Sequence, residues 1–253
     1  MTVLAALAAL FLVVPLLALA WRVPWSEVGG ILGDPAARTA LRLSLVCSLG
    51  ATAVVVVLGG PLAWVLARTE FPGRRLLRAV ALVPLVLPPV VGGVALLLAF
   101  GRHGILGGPL ERWLGVRLPF TTAGAVLAET FVALPFLVLT AEAAFRDVDR
   151  GPEDAARTLG AGRLMVFRRV TLPAVAPALV AGVVLAWARA IGEFGATVTF
   201  AGRSPGRTTT IPLEVYVLLE SGRLDAAVVL SLVLLVISVA VLFVLRDRWT
   251  RAW

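Results

Sequence analysis

Apolar runs about twenty residues long alternate along this chain with short polar stretches rich in arginine. Six runs stand out, at 3–21, 41–67, 79–100, 123–144, 174–194 and 226–245. Each approaches the ~20 residues that an α-helix needs to cross the hydrocarbon of a bilayer. The pattern predicts an all-α, polytopic membrane protein with six transmembrane helices, with 1–253 forming one domain. Ala18-Leu19-Ala20 has the form of a cleavage site, but no basic segment precedes the first run, so that run is expected to remain as a membrane helix. No soluble domain, low-complexity linker or internal repeat is expected.

The polar stretches orient the predicted helices. Thirteen arginines fall on one side: Arg68, Arg74, Arg75 and Arg78; Arg146, Arg150, Arg157, Arg163, Arg168 and Arg169; and Arg246, Arg248 and Arg251. Eight fall on the other: Arg22, Arg38, Arg102, Arg112, Arg117, Arg203, Arg207 and Arg223. Loops richer in Lys and Arg stay in the cytoplasm, so both termini and the 145–173 loop are expected there.

That loop has a pattern of its own. Glu153 to Pro173 reads EDAARTLGAGRLMVFRRVTLP. Pro152 suits a first helical position, and Glu153 and Asp154 suit the positive end of a helix dipole. Ala155, Ala156 and Leu159 give a small apolar face, and Gly160 suits the left-handed residue that stops a helix. A second short helix is expected over 163–170, leading to Leu172-Pro173 and the next apolar run. A compact helix-Gly-helix element between membrane helices offers a rigid knob to something in the water phase.

Composition acts mainly by exclusion. The chain is 60% apolar, with a net charge of +8 and a mean hydropathy of +0.98. All 23 basic residues are Arg. A Walker-type phosphate loop needs Lys, so the chain cannot carry one, and Schiff-base chemistry is excluded as well. His103 is the only His and Cys47 the only Cys, too few for a His/Cys metal cluster or an internal disulfide. No catalytic residue and no metal site are expected. The positive charge is spread over the loops, which suits lipid headgroups and not nucleic acid.

Polar residues inside the spans are the candidates for a pathway, because ionisable groups at membrane depth face a cavity or a partner. Arg189 and Glu193 share one helix face at i, i+4. Either Arg189 meets an anion while Glu193 orients it, or the two form an internal pair that fixes packing, or the pair closes an outer gate. Gly192 and Gly195 allow close helix approach or a break. Pro88 and Pro89, after Pro84, interrupt the third run. Broken backbone at this depth is tolerated only where protein or water covers it, so a pore-lining kink is expected, with Gly92 and Gly93 packing tightly behind it. Glu129 either hydrogen-bonds Arg189 across helices or sits near the outer interface. The segment Thr208–Pro212, TTTIP, is expected to be an outer loop, either a connector or a contact for an extracytoplasmic partner.

The loop also carries a resemblance. Asp154-Ala155-Ala156, three residues, Gly160, nine residues and Val170-Thr171-Leu172-Pro173 resemble the EAA loop of bacterial ABC-importer permeases, E-A-A-x3-G-x9-I-x-L-P. Asp replaces Glu and Val replaces Ile. PLAWVLARTEFPGRR, LVPLVLPPVVGGVALLLAFGRHGILG, AETFVALPF and ARAIGEFGATVTFAG are similar to the molybdate/tungstate and sulfate permease group, and RTTTIPLEVYVLLESG is closer to its molybdate members. The resemblance implies a type I importer permease fold in a bacterial inner membrane, importing molybdate or tungstate, with sulfate or thiosulfate as the alternative. It implies a second permease subunit, expected to be identical. It also implies two cytoplasmic ATPases that bind ATP and Mg and an extracytoplasmic oxyanion-binding protein, with no cofactor on this chain. Glu153, Asp154, Ala155, Ala156, Gly160, Arg163, Leu172 and Pro173 would then form the coupling loop, while Arg189, Glu193, Pro88, Pro89 and Glu129 would line or gate the pathway. A membrane sensor that borrows such a loop and an ion-driven carrier are the readings from other classes. The carrier is disfavoured because membrane carboxylates are few and the knob would have no role.

Overall fold

The computed structural model describes residues 1–249. Every regular element among them is helical. Five helices are long and apolar enough to cross a membrane: α1 (Thr2–Trp21), α3 (Pro35–Arg68), α7 (Thr122–Asp147), α10 (Leu172–Ile191) and α13 (Leu224–Trp249). Shorter helices α2 (Val28–Gly33), α6 (Gly107–Leu114) and α12 (Ile211–Glu220) lie in connections that the apolar pattern left blank. Arg251, counted above with the arginine-rich side, lies outside the described residues, as do the side chains of Arg246 and Arg248.

The third predicted span is not one helix. It divides into α4 (Arg74–Val86) and α5 (Pro89–Phe100). Leu87 and Pro88 between them are extended. Two adjacent prolines explain the break: neither has an N–H to return, and each biases the residue before it away from helix. The second predicted span is longer than expected. Asp34 accepts the Ala36 N–H at 2.8 Å and Pro35 takes the first turn, so α3 starts six residues early. At 34 residues it is about 51 Å long, enough to project beyond the hydrocarbon.

Helices α3, α7 and α10 form the centre, around Ala51, Val55, Ala133, Leu137, Ala141 and Ala186. Membrane helices gain little from hydrophobic burial against lipid, so close packing of small residues holds them. Gly59 of α3 fits against Leu134, Leu137 and Val138 of α7. Gly182 of α10 fits against Leu137 and Thr140, which a Cβ would approach to 3.1 Å. By contrast α1 is peripheral, exposed from Thr2 to Ala18.

The bundle has two distinct ends. At one, α3 stops at Arg68, α4 begins and α7 stops, and Arg68 and Arg78 reach Glu153 and Glu142. This is the arginine-rich end expected from the loops. At the other, Thr122 donates to the Arg207 carbonyl at 2.8 Å, and the Ile211 N–H donates to Ser44 Oγ at 2.7 Å. Of the two readings of the TTTIP segment, the structure fits the connector. Thr208, Thr209 and Thr210 are all buried. Thr208 takes the Ser204 N–H and donates to the Gly202 carbonyl. The segment packs into the bundle and presents no threonine hydroxyl to a partner.

Candidate functional site

At the arginine-rich end a hydrophilic helix, α8 (Gly151–Thr158), is followed by α9 (Arg163–Val166). Between them Gly160 has φ +86°. The Gly160 N–H returns to the Arg157 carbonyl at 2.9 Å and the Ala161 N–H to the Ala156 carbonyl at 3.0 Å. These are the two bonds of a Schellman stop, which needs a left-handed residue at its centre. A Cβ on Gly160 would meet nothing within 4 Å, so any cost of replacing it is backbone strain alone. The loop geometry is fixed by hydrogen bonds, and the resulting knob is rigid.

The second short helix does not end where the sequence suggested. From Arg163 the helix runs on, through a π-helical turn at Phe167–Thr171, directly into α10. The wide turn sits just before Pro173, whose ring would otherwise press on the carbonyl four residues earlier. Thus Arg163 to Ile191 is one helical path, and α9 and α10 are joined without a flexible link.

The knob has an outer and an inner face. Asp154, Ala155, Arg163, Leu172 and Pro173 are exposed and Ala156 is half-buried. Leu159 is 89% exposed, and Leu164 and Met165 are exposed beside it. Three bare apolar side chains on a hydrophilic loop need a cover. Glu153 does the opposite. It is 3% exposed, and its Oε1 accepts from Arg68 Nη2 and from Thr171 Oγ1, both at 2.8 Å. Arg157 lies 3.6 Å from its Oε2. The Arg68 guanidinium stacks over Trp64 at 5.3 Å. Trp64 in turn meets Phe145 and Phe167 edge-on at 5.1 and 5.0 Å. Glu153 therefore faces inward and fastens α8 to the end of α3 and to the π turn. Breaking such a buried pair by deleting one partner costs about 3–5 kcal/mol.

A second buried carboxylate ties the same end together. Glu142 of α7 accepts from Arg78 Nε of α4 at 2.8 Å and pairs with Arg146 at 2.7 Å. Arg74 Nε donates to the Leu66 carbonyl at 2.8 Å, satisfying an open carbonyl at the end of α3.

The pathway candidates divide. Arg189 and Glu193 do pair, Nη2 to Oε2, at 2.5 Å. Glu193 is 1% exposed and its Oε1 also takes the Ala196 N–H at 2.7 Å. Here the sequence expected a span running to 194. Instead α10 stops at Ile191, and α11 (Gly195–Phe200) starts after a break. Glu193 closes that break by capping α11, so its pairing is internal to the fold. Arg189 keeps 28% of its side chain exposed. Glu129 is fully interior. Its Oε2 has no hydrogen-bond partner, and the Arg189 guanidinium goes to Glu193, so the expected bond from Arg189 to Glu129 is not made.

The structure brings the two breaks together. A Cβ on Gly195 would stand 2.8 Å from Pro89 Cβ. One on Gly93 would stand 2.5 Å from Thr199 Cβ and 3.0 Å from the Ala196 carbonyl oxygen. Gly92 meets Phe131 in the same way. Hence α5 and α11 run side by side from their breaks, with no room for a side chain between them. Pro88 and Pro89 are exposed on the surface of this subunit. A Cβ on Gly192, by contrast, would meet only the Ala188 carbonyl oxygen of its own helix, at 3.7 Å, so Gly192 serves the break, not close packing.

Sequence reasoning missed Trp64, Arg68, Thr171, Glu142 and Arg78 as working residues. The arginines looked like headgroup contacts. The available signal was a carboxylate, Glu142, inside the apolar pattern of a helix end, which demands a cation.

A bundle of interrupted membrane helices with a knob of two short helices at one end, carrying exposed Leu159, Leu164 and Met165, defines a polytopic membrane protein. Residues 59–252 match the family described as binding-protein-dependent transport system inner membrane component, and the chain belongs to that family. It is thus the permease subunit of an ABC transporter. It is similar to the molybdenum transport system permease protein ModB of Mycobacterium tuberculosis, 49% identical over 91% of this chain and 87% of the relative. The protein of the same name in Escherichia coli is 43% identical over 87% of this chain and 95% of its own. The fold is shared with a solved bacterial alginate ABC transporter in complex with a periplasmic protein bound to an alginate pentasaccharide. The TM-score is 0.75 at 17% identity, covering 99% of this chain and 93% of that one.

Proposed function

We propose that this chain forms the membrane pathway of an importer that carries molybdate, and equally tungstate, into the cytoplasm. The observation that carries the substrate is the pair of molybdenum permease relatives at 49% and 43% identity along nearly the whole chain. Two copies of the chain surround the pathway. Two ATPase subunits, which bind ATP and Mg, each grip one 145–173 loop, and an extracytoplasmic binding protein delivers the oxyanion. The excess of arginine sets the loop and both termini in the cytoplasm. Exposed Leu159, Leu164 and Met165 support a docking role for the loop, with Ala155 and Ala156 small enough to enter a shallow groove.

The chemistry of the pathway follows from its cargo. A tetrahedral dianion cannot cross bare hydrocarbon, yet a tightly binding pore would hold it. Selectivity belongs to the binding protein, so the pathway needs few fixed charges. Arg189 supplies one, paired with Glu193 and partly exposed. Closure of the ATPases moves the loops and rocks the helices toward the outward-facing state.

Uptake by proteoliposomes holding the reconstituted complex tests the reading. ATP-dependent entry of molybdate, blocked by tungstate and weakly by sulfate, is expected. Preference for sulfate, or undiminished flux without the ATPase, overturns it. Sidedness is tested by labelling a Leu159→Cys variant, since Cys47 is buried. The label is expected only from the cytoplasmic face.

A further inference from the structure

The loop's outer face explains how a partner holds it, but not how a push there reaches the membrane helices. The inward face does. Glu153 sits on α8, one turn from the exposed knob, and its carboxylate is the meeting point of three elements that are distant in sequence. Arg68 is the last residue of α3, and Thr171 is the last of the π turn that feeds α10. Both donate to the same oxygen, at 2.8 Å each. Arg68 is held in place by Trp64, which is wedged between Phe145 of α7 and Phe167 of the π turn. The pair is almost fully enclosed, with side-chain exposures of 8% and 3%, so water does not loosen it. Helix α3 then runs unbroken to the opposite end, where Asp34 approaches Arg223 at 3.6 Å.

We infer that the Glu153–Arg68–Thr171 node is the linkage that converts movement of the docked loop into movement of α3 and α10 together. These are positioning residues. They touch neither cargo nor nucleotide and act by making the knob, the lever α3 and the continuous α9–α10 path one rigid body. Without this node α8 keeps no hydrogen bond or ion pair to α3 among the described residues, since its other ties, Asp154 to Arg157 and the Schellman bonds, are local, and a push on the knob would reach α10 only through the backbone of α9 and leave α3 behind. The inference rests on the loop being the ATPase docking element.

The experiment uses the complete complex, with ATPase and binding protein, in proteoliposomes. Three quantities are read: copurification of the ATPase, hydrolysis, and oxyanion taken up per ATP hydrolysed. Glu153→Gln and Arg68→Gln are expected to lower uptake per ATP by about tenfold, the effect of losing a charge-assisted bond, while the ATPase still copurifies. The double variant is expected to fall no further than either single one, since the two share one interaction. Thr171→Val, which keeps the shape and removes one bond, is expected to lower the ratio about threefold, and Thr171→Ser to restore it. This milder pair decides the matter if the charge variants fail to assemble. An unchanged ratio in Thr171→Val, or additive losses in the double variant, overturns the inference. Leu159→Arg on the outer face separates it from the reading beneath it. If that variant releases the ATPase while the node variants keep a normal ratio, docking stands and the linkage fails. If it leaves docking and uptake intact, the docking assignment itself fails.

Discussion

Glu153 and Glu193 are both enclosed carboxylates beside an arginine, yet their partners differ in reach. Glu153 bonds to Arg68, 85 positions earlier, and to Thr171, 18 later. Glu193 bonds to Arg189 and to the Ala196 N–H, within four residues on either side. The first gathers the ends of three elements into one body, whereas the second only closes a gap in its own helix. Around Glu193 the tertiary contact comes from missing side chains, with Gly93 and Gly195 letting α5 and α11 touch. One end of the molecule is thus joined by charge in long arms, and the broken zone by bare backbone. Charge carries force between elements in any relative position that keeps the bond. Bare backbone permits close approach, and any side chain added there would part the two helices.

The comparison breaks most visibly at the knob. Ala156→Arg puts a long cation into the face proposed to dock, and uptake is expected to fall by about a hundredfold with the protein still in the membrane. Normal uptake would remove the loop from the mechanism. In the broken zone, Gly93→Leu forces α5 from α11 and is expected to cost about 3 kcal/mol, read as a lower unfolding midpoint in detergent. Leu at Gly60, which has open space, is the control. Arg189→Gln keeps the helix and removes the half-exposed charge. Uptake of the dianion is expected to drop about tenfold, and an unaltered rate would confine Arg189 to packing. The smallest effect is expected from Gly160→Ala. The left-handed strain of about 1 kcal/mol falls on the Schellman stop and lowers stability slightly, leaving the ATPase bound in a pull-down.

Much of this was readable residue by residue. Gly160 as a left-handed stop, Gly93 as a close contact and Pro88–Pro89 as a break each follow from what those residues can or cannot do with their backbone. The broken third span was readable as a kink but not as two helices. The break between Ile191 and Gly195 was readable only as one of two alternatives, because glycines, a carboxylate and an arginine at i, i+4 fit a continuous helix equally well. Glu129 was readable as a membrane carboxylate but not as one without Arg189, because Arg189 is taken by Glu193 on its own helical path. The burial of Thr208–Thr210 was also beyond reach, because threonine is at home on either side of a surface.

Periodicity, length and the stereochemistry of Gly and Pro are local properties. The sequence alone therefore settled five spanning helices, the arginine-rich side and the left-handed stop in the knob. Partner choice among charges is not local. Twenty-three arginines and fifteen acids admit many pairings, and only the tertiary packing brings Arg68, 85 positions away, against Glu153. The same packing decides which carboxylate faces a partner and which faces the fold, because a charge takes its role from the distance and dielectric around it, and both are set by elements far away along the chain.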